Sequence, residues 1–154
     1  MHAPADVEFA AYLPFYPVCR YKFIEGDQIS DRPVRIFHGA ADDQQPVAWC
    51  RTYVERLRAA GKDVALTEYA GAHHVFDDPV LPPAQRLPVP NQGRCFLVET
   101  HVGQLINQET EKPPSRSDPC VTRGVTHGYN HSAHADSVRA VKEFLSKIFA
   151  LDRL

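Results

Sequence analysis

Residues 8–17, EFAAYLPFYP, are almost continuously apolar and aromatic, a pattern that suits a strand buried on both faces. Residues 20–33 are polar, contain Gly26 and Pro33, and read as a long connection. A second apolar run, VRIFHG at 34–39, predicts a strand stopped by Gly39. From Pro46 to Ala60 the apolar positions Val47, Cys50, Tyr53, Val54 and Leu57 recur at three- and four-residue intervals. Pro46 suits the first helical turn and Gly61 a left-handed cap, so this is a helix. DVALTEY at 63–69 is a third strand, and strand–helix–strand implies parallel pairing through a right-handed crossover.

The texture changes after residue 76. DDPVLPPAQRLPVPNQG carries five prolines and predicts an irregular surface excursion, taken to extend over 77–131. Within it, RCFLVETHVGQLIN reads as two short strands around Gly103, a candidate β-hairpin, and QETEKPPSRSDPCVTRG reads as loop. The closing segment, Ser132 to Phe149, places Val138, Val141, Leu145 and Ile148 on one stripe and predicts an amphipathic helix.

Composition narrows the partners. The 154 residues are enough for one domain with its own core; hydrophobic residues make up 44%, and no apolar stretch approaches the ~20 residues of a membrane span. Seventeen basic side chains against nineteen acidic ones leave a formal charge of -2, and the basic residues are scattered, so neither a nucleic acid nor a membrane is an expected partner. No cationic, apolar leader opens the chain. Cys19, Cys50, Cys95 and Cys120 lack the C-x-x-C spacing of structural zinc sites. His127, His131 and His134 suggest a metal cluster, but Gly128 and Asn130 interrupt a helix through them and no further ligand completes a set.

Cys95 and Cys120 bracket the excursion, and Cys19 and Cys50 follow neighbouring strands. Two disulfides, implying a periplasmic or secreted parent protein, are favoured over four buried thiols in a cytoplasmic one.

In an open parallel sheet, functional groups gather on loops at the carboxyl ends of strands. The loop after the second strand holds Asp42 and Asp43, and the loop after the third reads YAGAHHVFDD, with His73 and His74. Adjacent strands joined by one crossover end on the same side, which brings a carboxylate within reach of an imidazole. A carboxylate on one ring nitrogen fixes the tautomer and leaves the other nitrogen free as a general base. Each residue also has a plainer role: Asp42 as a turn or helix cap, His74 as a bonded loop histidine, Trp49 and Tyr53 as core aromatics.

The strings AAYLPFYPVC, RIFHGAADDQQPVAWCRTYVERLRAAGKDVALTEYAGAHHVFDDP and, more loosely, YNHSAHADSVRAVKEFL resemble the dienelactone hydrolase branch of the α/β-hydrolases. The resemblance implies an α/β chain with a partial α/β-hydrolase fold: three parallel strands with flanking helices, the excursion, and a carboxyl-terminal helix, together one incomplete domain over 1–154. The family's acid stands three residues after the glycine ending its strand, which gives Asp42. Its base precedes a short apolar pair ending in Phe, which gives His74; Asp43 and His73 are then neighbours that support the turn or line the cleft. The resemblance further implies hydrolysis of a small ester or lactone without a cofactor.

One part of the family pattern is not in the sequence. The nucleophile elbow, G-x-S-x-G or G-x-C-x-G, should precede the acid, and no such string occurs; Ser30 and Cys19 lie in unsuitable contexts. The resemblance therefore implies that Met1 begins near the middle of the fold, and that the isolated chain is inactive. The first strand would present an open edge to a missing amino-terminal half or another chain. The alternative, from another class, is a non-catalytic remnant that recruits a partner strand at that edge.

Overall fold

A computed structural model of the chain describes residues 7–151. Its centre is a parallel pair: β2 (Val34–Gly39) runs beside β3 (Val64–Tyr69), with Val34 opposite Val64 and Gly39 opposite Tyr69. α1 (Val47–Ala59) makes the crossover between them. As its spacing predicts, α1 buries Val47, Cys50, Val54 and Leu57, and Gly61 takes φ +78° just beyond its end.

Alternation along β2 divides the core in two. Val34 and Ile36 pack with Val54, Leu57 and Val64 on the α1 face, while Phe37 packs with Tyr69, Ala72, Phe76 and Ala133 on the other. Ala133 belongs to α2 (His131–Phe149), whose first turn is capped by Asn130 accepting from the Ala133 N–H at 3.0 Å. The line that α2 buries is not the predicted stripe. Ala133 and Ser137 are buried and Ala140 and Val141 join the core, whereas Val138 faces outward. The helix is rotated so that small residues approach the sheet.

The expected third parallel strand is corrected to a broken one. Tyr12 bridges Val34 and Phe15 bridges Phe37, both parallel, but no continuous ladder forms. Proline explains the break: the Pro14 carbonyl accepts from Phe37 N at 3.0 Å, yet Pro14 has no N–H to return to the sheet. Nor is the segment buried on both faces, since residues 7–10 are exposed and 11–17 only half-buried.

The excursion is likewise corrected, from irregular to largely stranded. β4 (Gln85–Asn91) pairs antiparallel with β7 (Thr122–His127), both inside stretches that read as loop. Its prolines fit because both strands of a two-stranded ribbon are edges and because the register shifts between Leu87 and Pro90. β5 (Leu97–His101) and β6 (Gln104–Asn107) form the predicted hairpin, with Gly103 at φ +78° in the turn, and β1 (Tyr21–Lys22) adds to β5 in parallel. Disulfides join Cys19 to Cys50 and Cys95 to Cys120. The first ties the segment after the broken strand to α1, and the second ties together the two arms of the excursion; in the chain-entropy picture each contributes roughly 3 kcal/mol. Among the described residues no helix is long and apolar enough to cross a membrane.

Gly39 decides how closely the loops after β2 and β3 meet. A Cβ there would lie 2.3 Å from the Ala72 carbonyl oxygen and 2.9 Å from that of His73, both rigid backbone. Gly39→Ala is expected to cost about 2 kcal/mol or more in urea unfolding, because the two loops must separate to admit one methyl group.

Candidate active site

Backbone bonds knit the two loops before any side chain is considered. Ala40 N donates to Tyr69 O at 2.9 Å and Ala41 N to Ala72 O at 2.9 Å, while the His73 ring Nδ1 lies 3.0 Å from Ala41 O. Asp42 and His74 are thereby held on facing turns at the carboxyl ends of adjacent parallel strands.

The Asp42 side chain is fully buried and divides its two oxygens. Oδ1 accepts from the backbone N–H groups of Gln44 at 2.9 Å and Gln45 at 2.7 Å, closing the turn that leads into α1. Oδ2 accepts from His74 Nδ1 at 2.8 Å. The plain reading of Asp42 as a turn-former and its reading as the partner of His74 therefore hold together, one on each oxygen. His74 presents its ring to the edge of Tyr16, centroids 4.6 Å apart, and among the described residues none hydrogen-bonds its Nε2. Its side chain keeps 12% exposure, so this nitrogen is within reach of an incoming group. Tyr16 itself is tied through its hydroxyl to Asp77 at 3.1 Å; burial first, and then Asp77, push its phenol up to about 12, so it remains neutral.

Asp43 is a clasp between the acid loop and the excursion. Its carboxylate accepts from Thr126 N at 2.6 Å and Thr126 Oγ1 at 2.9 Å, and pairs with Arg86. Burial opposes its charge, but the Thr126 and Arg86 hydrogen bonds outweigh it and hold the carboxyl below the usual carboxylate range. Asn91 adds a bond from Nδ2 to the Asp43 carbonyl at 2.6 Å. These partners stand 43 to 83 residues away, a separation no local sequence signal spans. His127, at the end of β7, is a second residue the sequence reading did not associate with the acid loop: its Nε2 is 2.6 Å from Gln44 Oε1. His134 instead meets the Tyr129 hydroxyl at 3.3 Å, and among the described residues no group of three His, Cys, Asp or Glu side chains is arranged to hold a metal ion. Trp49 docks the excursion through Nε1 to Gly93 O at 2.8 Å, and Tyr53 packs on the α1 core.

No thiol is free, because all four cysteines are in the two disulfides. Ser30 is bonded to Glu8 at 2.6 Å and Ser137 to the His134 carbonyl at 2.8 Å, neither of them to His74.

Beneath the pair lies His38, fully buried on β2, with Nδ1 4.0 Å from Asp42 Oδ2 and Nε2 lacking any protein partner. Burial pulls its proton affinity below the ordinary histidine range. Above the unfolded-state histidine pKa of ~6.5, folded and unfolded chains both hold this ring neutral and the stability is intact. As pH falls below that, only the unfolded chain takes up the proton, and folding should weaken by up to about 1.4 kcal/mol per pH unit from this group. Urea unfolding of wild type and His38→Phe between pH 7.5 and 5 checks this, and the variant should show the shallower slope.

The dienelactone hydrolase family model matches residues 1–149, nearly the whole chain. No curated protein and no solved structure matches it. The mixed α/β architecture, with parallel β2 and β3 joined through α1 and α2 packed on the opposite face, agrees with a domain of that kind. On a match of that extent, the chain belongs to the dienelactone hydrolase family, a family of hydrolases.

Proposed function

We propose that Asp42 and His74 are the acid and base of a triad that hydrolyses a small ester or lactone, and that the nucleophile, Ser or Cys, is supplied by an amino-terminal segment or a second chain. The observation that carries this reading is the 2.8 Å bond from His74 Nδ1 to a fully buried carboxylate, with the opposite ring nitrogen accessible. Orientation by Asp42 makes Nε2 the basic atom. It takes the proton of the nucleophile as that atom attacks the carbonyl carbon, and returns it to the departing alkoxide. His74 then takes a proton from water, whose oxygen attacks the acyl-enzyme, and passes that proton to the departing nucleophile as the acid is freed; the Asp42 carboxylate stabilises each imidazolium. This chemistry needs no cofactor.

Two features support an external nucleophile. Every cysteine is paired, and G-x-[SC]-x-G does not occur in the sequence. Among the described residues no strand pairs with the side of the broken strand turned away from β2, beside an apolar groove of about 520 Å³ lined by Tyr12, Pro14, Val18, Phe23, Ile29 and Tyr53. That groove lies on the α1 face and does not include the dyad, so it suits a packed element of the fold better than a substrate. A strand pairing there would run next to Tyr16, which touches His74.

Hydrolysis of a p-nitrophenyl ester tests the reading. The chain alone should give no rate above buffer, since among the described residues no hydroxyl or thiol is hydrogen-bonded to His74. Adding an amino-terminal half with the elbow should restore turnover, and Asp42→Asn or His74→Ala should then reduce it by roughly 10⁴-fold. Turnover by the chain alone would overturn the proposal, and binding of the added half without turnover would favour an interaction module.

A further inference from the structure

Beyond its pairing with Gln85 in the ribbon, the contacts that hold His127 lead back to Asp42 and His74. It bridges His74 in parallel, and the neighbouring Gly128 N–H donates to the His74 carbonyl at 3.2 Å, so the end of β7 holds the backbone of the base. The two imidazole rings lie with centroids 5.3 Å apart, tilted by 43°. At its far edge, His127 Nε2 meets Gln44 Oε1 at 2.6 Å, and the Gln44 backbone N–H is one of the two donors on Asp42 Oδ1. The contacts form a closed circuit: Asp42 Oδ2 to His74, His74 to His127, His127 to Gln44, and Gln44 back to Asp42 Oδ1.

We propose that His127 is a positioning residue for the His74 imidazole, contributed by the excursion and not by the strand tips that carry Asp42 and His74. The inference rests on the reading of His74 as the base. An imidazole bonded at one nitrogen still turns about a broad terminal torsion, and each turn takes Nδ1 off its acceptor. A second ring packed at aromatic contact distance narrows that torsion. For this the second ring must itself be held, which the Gln44 bond does, with an amide oxygen as acceptor and the proton on His127 Nε2. It must also be uncharged, because a cation there would oppose the imidazolium that His74 becomes during proton transfer. Burial, and after it the nearby His74 ring, lower the proton affinity of His127 and keep it neutral at neutral pH. The role also explains why the Asp43 clasp is worth its three partners: Thr126 adjoins His127, so fixing Thr126 to the acid loop fixes the ring that follows it.

The spectroscopic signature is the His74 Nδ1 proton, followed by NMR in chain carrying ¹⁵N-labelled histidine, with its exchange against water as the readout. His127→Ala should speed that exchange about tenfold, whereas His127→Phe, which keeps a ring against His74 but loses the Gln44 bond, should speed it only severalfold. Gln44→Leu, which frees His127 but leaves the backbone donor on Asp42, should speed it severalfold and serves if His127→Ala fails to fold. Exchange within twofold of wild type in a folded His127→Ala or Gln44→Leu protein would overturn the proposal. Asp42→Asn separates it from the reading beneath: loss of the Nδ1 proton signature in that variant keeps the dyad even if His127 proves idle, and its persistence would remove the dyad itself.

Discussion

A single carboxylate carries two structural obligations here. One oxygen of Asp42 closes the turn into α1 by accepting from Gln44 and Gln45, and the other accepts from His74 Nδ1. Because the first pair of bonds is made to backbone, the position of Asp42 is set by the fold of its own loop and does not depend on His74. The bond to His74 then forms against an acceptor already in place, so in the proposed hydrolysis little ordering remains to be done at proton transfer. Burial of the side chain keeps water from competing for either oxygen.

The surroundings follow from holding that carboxylate in place. Gly39 lets the two loops meet backbone to backbone, and a methyl group at that point would prise apart the turns that bear Asp42 and His74. On the far side the β4–β7 ribbon is bound to the same loop through Asp43, Thr126, Arg86 and Asn91, and through His127 with Gln44. The excursion is thus a wall of the site anchored by charge-assisted bonds, with the Cys95–Cys120 disulfide closing it at its base. His38 adds a buried ring beneath the acid whose Nδ1 meets the Gly39 carbonyl at 3.1 Å and whose Nε2 has no partner among the described residues, a local cost that the fold tolerates next to its most constrained carboxylate.

What was legible in the sequence was whatever depended on short spacing. Parallel β2 and β3 with α1 between them followed from apolar runs and a 3.6-residue period; that a carboxylate of one loop would meet an imidazole of the other followed from the rule that adjacent strands end on one side, and the choice of Asp42 and His74 came from the family resemblance. The hairpin around Gly103 was likewise readable from short spacing. Pro14 defeated the reading of 8–17, because apolar character says nothing of which N–H groups a ladder needs. The proline-rich β4 was missed because edge strands and register shifts excuse prolines that a central strand would not. Val138 was placed on the wrong side of α2 because the smaller Ala133 and Ser137, not the larger residues, approach the sheet. His127 and the Asp43 clasp were invisible because their partners lie tens of residues away, joined only once β7 has formed.

Membership of a hydrolase family, a buried carboxylate on one nitrogen of an imidazole, and nothing from the described residues on the other nitrogen form one consistent account: a base oriented and left free for a nucleophile. That account stands or falls on which ring nitrogen of His74 bears the proton. The ¹⁵N shifts of the imidazole in the labelled wild-type chain at neutral pH report this directly. The account predicts a protonated Nδ1 and a bare Nε2; a ring protonated at Nε2, with Nδ1 bare, would contradict it.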